Sequence, residues 1–437
     1  MRFNTQKDQK ILQMKKILAI LCIGLGMVSY AQEFEISAEL KPRFEYRHGY
    51  KTLAVDSLNA ATFVSQRTRL NLGYKSEKYN AYFSLQNVRV WGDVSTLATS
   101  DKNGTTIHQA WVEAILNTKF SLKFGRQEII YDDQRIFGNV DWAQQARSHD
   151  ALIVTFKPNE NNRLDLGLAI SADGESLFEE DYTVNNYKSF QYLWYHTNLK
   201  DLGLSFLILN NGLAYYDINS EQQVDYNQTF GTHAKYGKSK LKADASVYFQ
   251  TGKIADTDLS AYNFALNTHY AITDSFNVGL GGEYLSGTDM NSTDNKIESF
   301  NPWYGTNHKF NGWMDYFYVG NHINNVGLVD LNATFAYKKN KFSAKVVPHL
   351  FSSAATIVDT MGDEMSNTLG TEIDLVLGYK FSKDINFQVG YSQMFATESM
   401  EILKGGDKDA TNNWAWAMIT VKPSLFKTTF KKEEVKE

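Results

Sequence analysis

Alternation of side-chain character constrains this chain more than any other feature. From residue 34 the even positions read Phe34, Ile36, Ala38, Leu40, Pro42, Phe44 and Tyr46, whereas the odd positions read Glu35, Ser37, Glu39, Lys41, Arg43, Glu45 and Arg47. A strand sends successive side chains to opposite faces, so this stretch has one apolar face and one charged face. The same period returns along the chain. Leu70, Leu72 and Tyr74 alternate with Arg67, Arg69 and Asn71. Leu241, Ala243, Ala245, Val247 and Phe249 alternate with Lys242, Asp244, Ser246, Tyr248 and Gln250, and Ile373, Leu375, Leu377 and Tyr379 with Glu372, Asp374 and Lys380. Segments of about 9 to 13 residues are what a tilted strand needs to cross an outer-membrane hydrocarbon layer.

Two architectures bury such an apolar face: a soluble sandwich, against a second sheet, and a membrane barrel, against lipid. Connector lengths separate them. Short connectors at 75–79, 117–118, 158–161, 199–201, 237–239, 271–274, 338–340 and 382–384 alternate with long ones at 47–61, 92–105, 128–148, 171–188, 210–226, 252–260, 286–325, 353–368 and 397–412. Short periplasmic turns and long outer loops are the asymmetry of outer-membrane barrels, and a sandwich has no reason to show it. The expected fold is therefore all-β, a transmembrane antiparallel barrel of about 18 strands. Acids gather in the long connectors and lysines (Lys75, Lys78, Lys238, Lys338, Lys339, Lys383) in the short ones. Aromatics make up 14% of the 437 residues, with 25 Tyr and 27 Phe, as suits sheet.

The one long apolar run is N-terminal. Lys15-Lys16, then Ile17 to Val28, then Ser29-Tyr30-Ala31 before Gln32 form the charged, apolar and small-residue regions of a secretory signal. The expected organisation is a signal peptide over 1–31, with Met14 an alternative start, a barrel over 32–422, and a charged tail over 423–437. The only cysteine, Cys22, lies inside the signal, so the mature chain can form no disulfide. Removing residues 1–31 takes away five bases and one acid and leaves a net charge of −9. That balance and the lack of a basic stripe disfavour nucleic-acid binding, and no nucleic-acid partner is expected.

Catalytic patterns are missing. Gly174-Glu175-Ser176 is followed by Leu177-Phe178 and forms no nucleophile elbow. No phosphate-binding loop, dinucleotide glycine pattern or H-E-x-x-H occurs. Asp289 to Thr293 begins like a calcium loop, but Asp294 stands where the turn glycine belongs. His308, His322 and Asp315 lack metal-ligand spacing and read as loop hydrogen-bonders. No enzyme, cofactor or metal site is expected.

What remains is a bore and two unusual connectors. The inward face inferred for the early strands carries Arg43, Arg47, Arg67, Arg69 and Lys123, with Arg126 at a strand end, and later strands place Asp330, Glu372 and Asp374 inward. Guanidinium forks pair carboxylates, so arcs of Arg in a pore favour anions. The bland alternative is cross-strand pairing that holds the wall, for example Glu39 or Glu45 beside Arg67 or Arg69. The connectors Gly125 to Asp150 and Phe300 to Phe317 mix aromatics (Trp142, Tyr304), amides and charges (Arg135, Arg147, Asp150, His308). Rings stack on pyranose faces while amides and guanidinium pair hydroxyls and carboxylates.

In these stretches the chain resembles the alginate-export family of outer-membrane barrels, in its Bacteroidota forms. The resemblance rests on GRQEIIYDDQRIFGNVDWAQQARSHD (125–150), YGTNHKFNGWMDYF (304–317), Gln66-Arg67-Thr68-Arg69-Leu70 and Gly370 to Leu375. It implies a monomeric 18-stranded channel in the outer membrane with an electropositive constriction that passes a polyuronate by diffusion, Arg67, Arg69, Arg126, Arg135 and Arg147 being the polyanion contacts. The lumen inferred here also carries Glu39, Glu113, Glu283, Glu372 and Asp374. The expected partners are an anionic polysaccharide or oligosaccharide and outer-membrane lipid. The alternatives are a general uptake porin and a glycan-binding surface barrel with a closed lumen.

Overall fold

The computed structural model describes residues 32–430; the leader expected over 1–31 and residues 431–437 lie outside the described residues. Eighteen antiparallel strands form one closed sheet. The first nine are β1 (Gln32–His48), β2 (Ala61–Lys75), β3 (Tyr79–Val90), β4 (Thr106–Ile115), β5 (Phe120–Gln127), β6 (His149–Asn159), β7 (Asn162–Ile170), β8 (Tyr187–Leu199) and β9 (Leu202–Tyr216). The rest are β10 (Gln222–Lys238), β11 (Leu241–Ile254), β12 (Thr257–Ala271), β13 (Phe276–Leu285), β14 (Leu328–Lys339), β15 (Phe342–Ser352), β16 (Thr368–Lys380), β17 (Ile385–Ala396) and β18 (Asn412–Val421, resuming as Ser424–Phe430). Each pairs with the next, and β18 pairs back onto β1, from His48 opposite Asn413 to Gln32 opposite Phe430. Closure leaves no open edge, which a sheet in hydrocarbon cannot tolerate.

The wall therefore does not stop at residue 422. Pro423 interrupts the last strand because it has no N–H to give, yet its carbonyl accepts from the Ala38 N–H at 3.1 Å and pairing resumes beyond it. The expected tail is wall as far as Phe430.

Burial is inverted relative to a soluble protein. Leu266, Leu280 and Leu331 are more than half exposed, whereas Glu45, Arg67, Asp165, Glu372 and Asp374 are fully buried. The apolar face points outward all round, and the charged positions of β1 and β2 point in.

Two expected long connectors are strand instead. Residues 252–260 form a hairpin turning on Ala255 and Asp256 alone, with φ of 48° and 62°, the left-handed pair that a two-residue hairpin requires. Residues 210–226 are also mostly paired, leaving only 217–221 as turn. Both stretches are polar on both faces because the strands rise above the lipid, where neither face needs to be apolar. The real loops concentrate elsewhere. Residues 286–327 are the longest, 128–148 follow β5, and 397–411 carry the one α-helix among the described residues, α1 (Glu398–Lys404). Among the described residues no helix is long and apolar enough to cross a membrane.

On β12 the outward residues run Tyr262, Phe264, Leu266 and Tyr270, so Leu266 sits at the centre of the lipid band between two tyrosines. Leu266→Arg is expected to destabilise the barrel by about 2–4 kcal/mol, whereas Asn267→Arg on the lumen side has a much smaller effect. Denaturant titration of folded and unfolded electrophoretic bands in detergent checks both.

Candidate functional site

The connector 128–148 contains too many apolar residues for a loop in water, and it turns inward. Ile129, Tyr131, Ile136 and Phe137 are buried against an aromatic stretch of wall. Tyr131 stacks on Trp194 (ring centroids 4.4 Å apart), and Phe137 packs on Phe190 and Tyr192. The Tyr131 hydroxyl donates to Asp165 on β7 at 2.7 Å. Phe137 also forms a backbone bridge with Tyr304 of the long loop, so the two inward loops are joined to each other.

Beyond this apolar anchor the connector reaches across to β1 and β2. Lys41 Nζ donates to the Asp141 carbonyl (2.7 Å), Arg43 Nη1 to the Trp142 carbonyl (2.6 Å), and Arg67 Nη2 to Asp141 Oδ1 (2.6 Å). The Arg67 side chain also binds Glu39, at 2.7 Å. Gln144 Nε2 donates to Ser65 Oγ at 3.0 Å. Val140 and Ala146 flank this tip with φ of 51° and 53°. A left-handed backbone costs a non-glycine residue about 1–2 kcal/mol, and a β-branched valine is there only because its surroundings hold it. Burial alone would raise the Asp141 carboxyl, but the ammonium of Lys41, the Arg67 guanidinium and Lys422 hold it well below the usual carboxylate range.

The loop 286–327 is fixed to the opposite wall. Arg135 makes a two-pronged pair with Glu283 on β13, its Nη2 also reaches Asn311 Oδ1 (2.8 Å), and its guanidinium lies 4.0 Å from the Phe310 ring centre. Glu372 Oε1 on β16 accepts the N–H groups of Trp313 (2.5 Å) and Met314 (2.9 Å). Gly312 makes that approach possible. Its φ is 81°, and a Cβ there would lie 2.7 Å from the Glu372 carboxyl carbon. His308 Nδ1 lies 2.6 Å from Asp315 Oδ1, and its ring stacks on Trp142 at 4.5 Å, tying the second loop to the tip of the first. His322 bonds the Gly327 carbonyl. Among the described residues no group of three or more His, Cys, Asp and Glu could hold a metal.

The structure thus brings Arg43, Arg67, Arg69, Lys123, Arg135, Trp142, Arg147, Tyr304 and His308 inside the wall. Lys123 lies 4.1 Å from the Trp111 ring centre, and Arg147 donates to the Gly305 carbonyl at 3.0 Å. Arg69 Nε binds Gln86 (2.7 Å), whereas its buried Nη2 has no hydrogen-bond partner among the described residues. Tyr304 is buried, its hydroxyl on Asn211. Arg126 and Asp150 are not in the bore. They pair with each other at 2.7 Å on the outward face. Two steps from inward Lys123, position 125 is inward again and 126 outward, so strict alternation already places Arg126 outside. Lys41 and Asp141 had no place among the expected contacts. Lys41 stood on the charged face of β1, but nothing in sequence ties residue 141 to it.

Among the cavities that flank the loops, two lie beside the loop tips and their docking contacts. One of about 630 Å³ is bordered by Arg43, Arg47, Tyr50, Trp142, His308 and Asp315. The other, of about 210 Å³, is bordered by Asp244, Asn267, Glu283, Trp313, Asp330 and Lys345.

A family model described as alginate export matches residues 33–415. The chain belongs to that family. No curated protein matches it. Among solved structures it is similar to OccAB4 of Acinetobacter baumannii (TM-score 0.60, 12% identity, 92% of this chain and 99% of that one). It is also similar to the outer membrane protein OpdK of Pseudomonas aeruginosa (TM-score 0.59, 12% identity, 90% and 98%) and to OpdK with vanillate (TM-score 0.57, 12% identity, 89% and 98%). At that identity the likeness is one of fold. Family and closed barrel together make the protein an outer-membrane channel and not an enzyme.

Two outcomes follow from the loop contacts. Removing one partner of a buried ion pair costs about 3–5 kcal/mol, so Glu283→Ala is expected to free Arg135 and the connector 128–148 and to take away the Asn311 contact of the loop 286–327, exposing both to limited proteolysis while the barrel stays folded. Because the Asp141 carboxyl is held low, its pairing is fully present above the ordinary carboxylate pKa and is lost only as pH falls through its own depressed value. Proteolysis at 139–147 is therefore expected to be unchanged between pH 7 and pH 5, and a rise in cleavage as the pH falls over that window would contradict the pairing.

Proposed function

We propose that this channel passes an anionic polysaccharide of the alginate type, or its oligosaccharides, by passive diffusion. The observation that carries the reading is a ladder of inward cations on adjoining strands. Lys41 stands opposite Arg67 and Glu39 opposite Arg69 in the β1–β2 register, and Arg43 and Arg47 lead from it into the larger cavity. Guanidinium forks match carboxylates in geometry, and a uronate chain offers one carboxylate per sugar. Trp142 and Tyr50 beside them supply flat faces for pyranose rings. Acids on β1 temper the ladder, so each carboxylate would be held weakly and passed on, as conduction requires.

A second reading is uptake of a small carboxylate, favoured by the way the two loops reach across the bore from opposite walls. A similar barrel, OpdK, has been crystallised with vanillate. Size separates the two readings. A polymer channel is blocked or crossed by uronate oligomers, and a small-solute channel passes only the monomer.

Arg47 and Arg69 test the ladder because neither donates to either inward loop. In planar bilayers the double change Arg47→Ala, Arg69→Ala is expected to lower the anion-over-cation permeability ratio several-fold and to shorten blockades by alginate oligosaccharides. A reversal potential identical to that of the unaltered channel would remove the ladder as a filter.

A further inference from the structure

The tip of the loop 128–148 is seated on the same cations that the polyanion reading requires. Asp141 is the acid of the loop that pairs directly with Lys41 and Arg67, and its side chain is 46% exposed while Arg67 is 0% and Lys41 5%. The carboxylate therefore lies at the mouth of a buried cationic seat with one side open. Lys41, Arg67 and Lys422 face this seat, and the wall answers them only with Glu39, which Arg67 and Lys422 both contact. Lifting Asp141 away would leave three cations against one acid, a surplus that draws in another carboxylate. The backbone is built for lifting. Val140 and Ala146, both left-handed, bracket the segment, and strained residues of this kind persist only while surrounding contacts impose them. The remaining ties are polar contacts and one aromatic stack: carbonyls of 141–144 on Lys41, Arg43 and Arg67, Gln144 on Ser65, the Gln145 carbonyl on Gln86, the Val140 N–H on Thr306, and Trp142 against Trp414, Trp416 and Arg43.

We propose that residues 140–146 form a self-occupied latch, in which Asp141 holds the carboxylate seat on Lys41 and Arg67 and a carboxylate of the polyanionic ligand displaces it, freeing the tip and widening the bore. The identity of the displacing ligand rests on the polyuronate reading; the latch itself does not. Exchange needs no covalent step and no proton, since one carboxylate replaces another on the same cations. Trp142 moves with the tip, so its stacking on His308 breaks as well, and the second loop is loosened with the first.

Single-channel recording in salt alone tests the latch without any sugar. Asp141→Asn keeps the shape and removes the charge, and is expected to raise open probability or conductance several-fold; traces matching the unaltered channel would overturn the proposal. A second measurement does not depend on that variant folding. The only cysteine, Cys22, precedes the barrel, so Ser65→Cys with Gln144→Cys places two unique thiols where the side chains now meet. Bridged by a short bis-thiosulfonate linker, the channel is expected to stay at its low level with alginate oligosaccharides present, and reduction to restore their effect. A bridged channel that conducts like the reduced one would overturn the latch. Alginate oligosaccharides are expected to raise the open probability of the unaltered channel, with brief blockades falling inside the open events, and dextran of equal length to leave it unchanged. If Asp141→Asn opens the channel in salt while alginate does nothing to the unaltered one, the latch is supported and the polyuronate reading fails.

Discussion

The seam between the first and last strands is the constraint on which everything else depends. In hydrocarbon an unpaired backbone N–H or C=O costs several kcal/mol, so a sheet of this kind is stable only when closed. Closing through β1 and β18 fixes which face is inside. Glu39, Lys41, Arg43 and Glu45 are then committed to a lumen whether or not they carry function, because the alternating period allows them no other place. A slip of one residue in that seam would turn the whole charged row to lipid.

Strand number sets the next problem. Eight strands enclose a space that side chains fill, whereas 16 to 18 leave an aqueous channel. The wall's own residues cannot span this bore, so selectivity has to come from segments folded into it. Those segments are held by groups suited to a wet interior. Arg135 with Glu283, Arg67 with Glu39 and Asp141, and Glu372 with two backbone N–H groups fix position more than they add stability, since a buried ion pair roughly balances its desolvation. The apolar cluster around Phe137, Phe190 and Tyr304 supplies the hydrophobic part, and it lies where the two loops meet the wall and each other.

That division explains what the sequence made legible. Strand identity and sidedness follow from local period, as residues 34–47 show, and closure into a barrel follows from the alternation of short and long connectors along the whole chain. Loop 252–260 was misread because polar composition marks departure from lipid and not departure from the sheet. Arg126, at a strand end and a polyanion contact only by family resemblance, lies outside, where the parity counted from Lys123 puts it. The docking of the loops had no local signal. Asp141 lies 100 residues from Lys41 and 74 from Arg67, and only closure of the wall brings them together. The aromatic and amide content of 125–150 marked the segment as unusual, but solvation, sugar binding and self-packing all fit that composition.

Under the proposed latch the same cations would serve both the tethered carboxylate and the ligand, and the balance between them has a physical form. A tethered carboxylate such as Asp141 competes at an effective concentration on the order of millimolar for a short flexible linker, and a stiff, strained connector lowers that figure. A single free carboxylate at lower concentration loses the contest. A polymer that presents one carboxylate after another along the ladder from Arg47 to Arg69 gains avidity with every contact and wins it. A latch of the kind proposed would therefore discriminate by valency: a bore narrow toward small solutes would still yield to a polyanion long enough to engage the ladder at several points together.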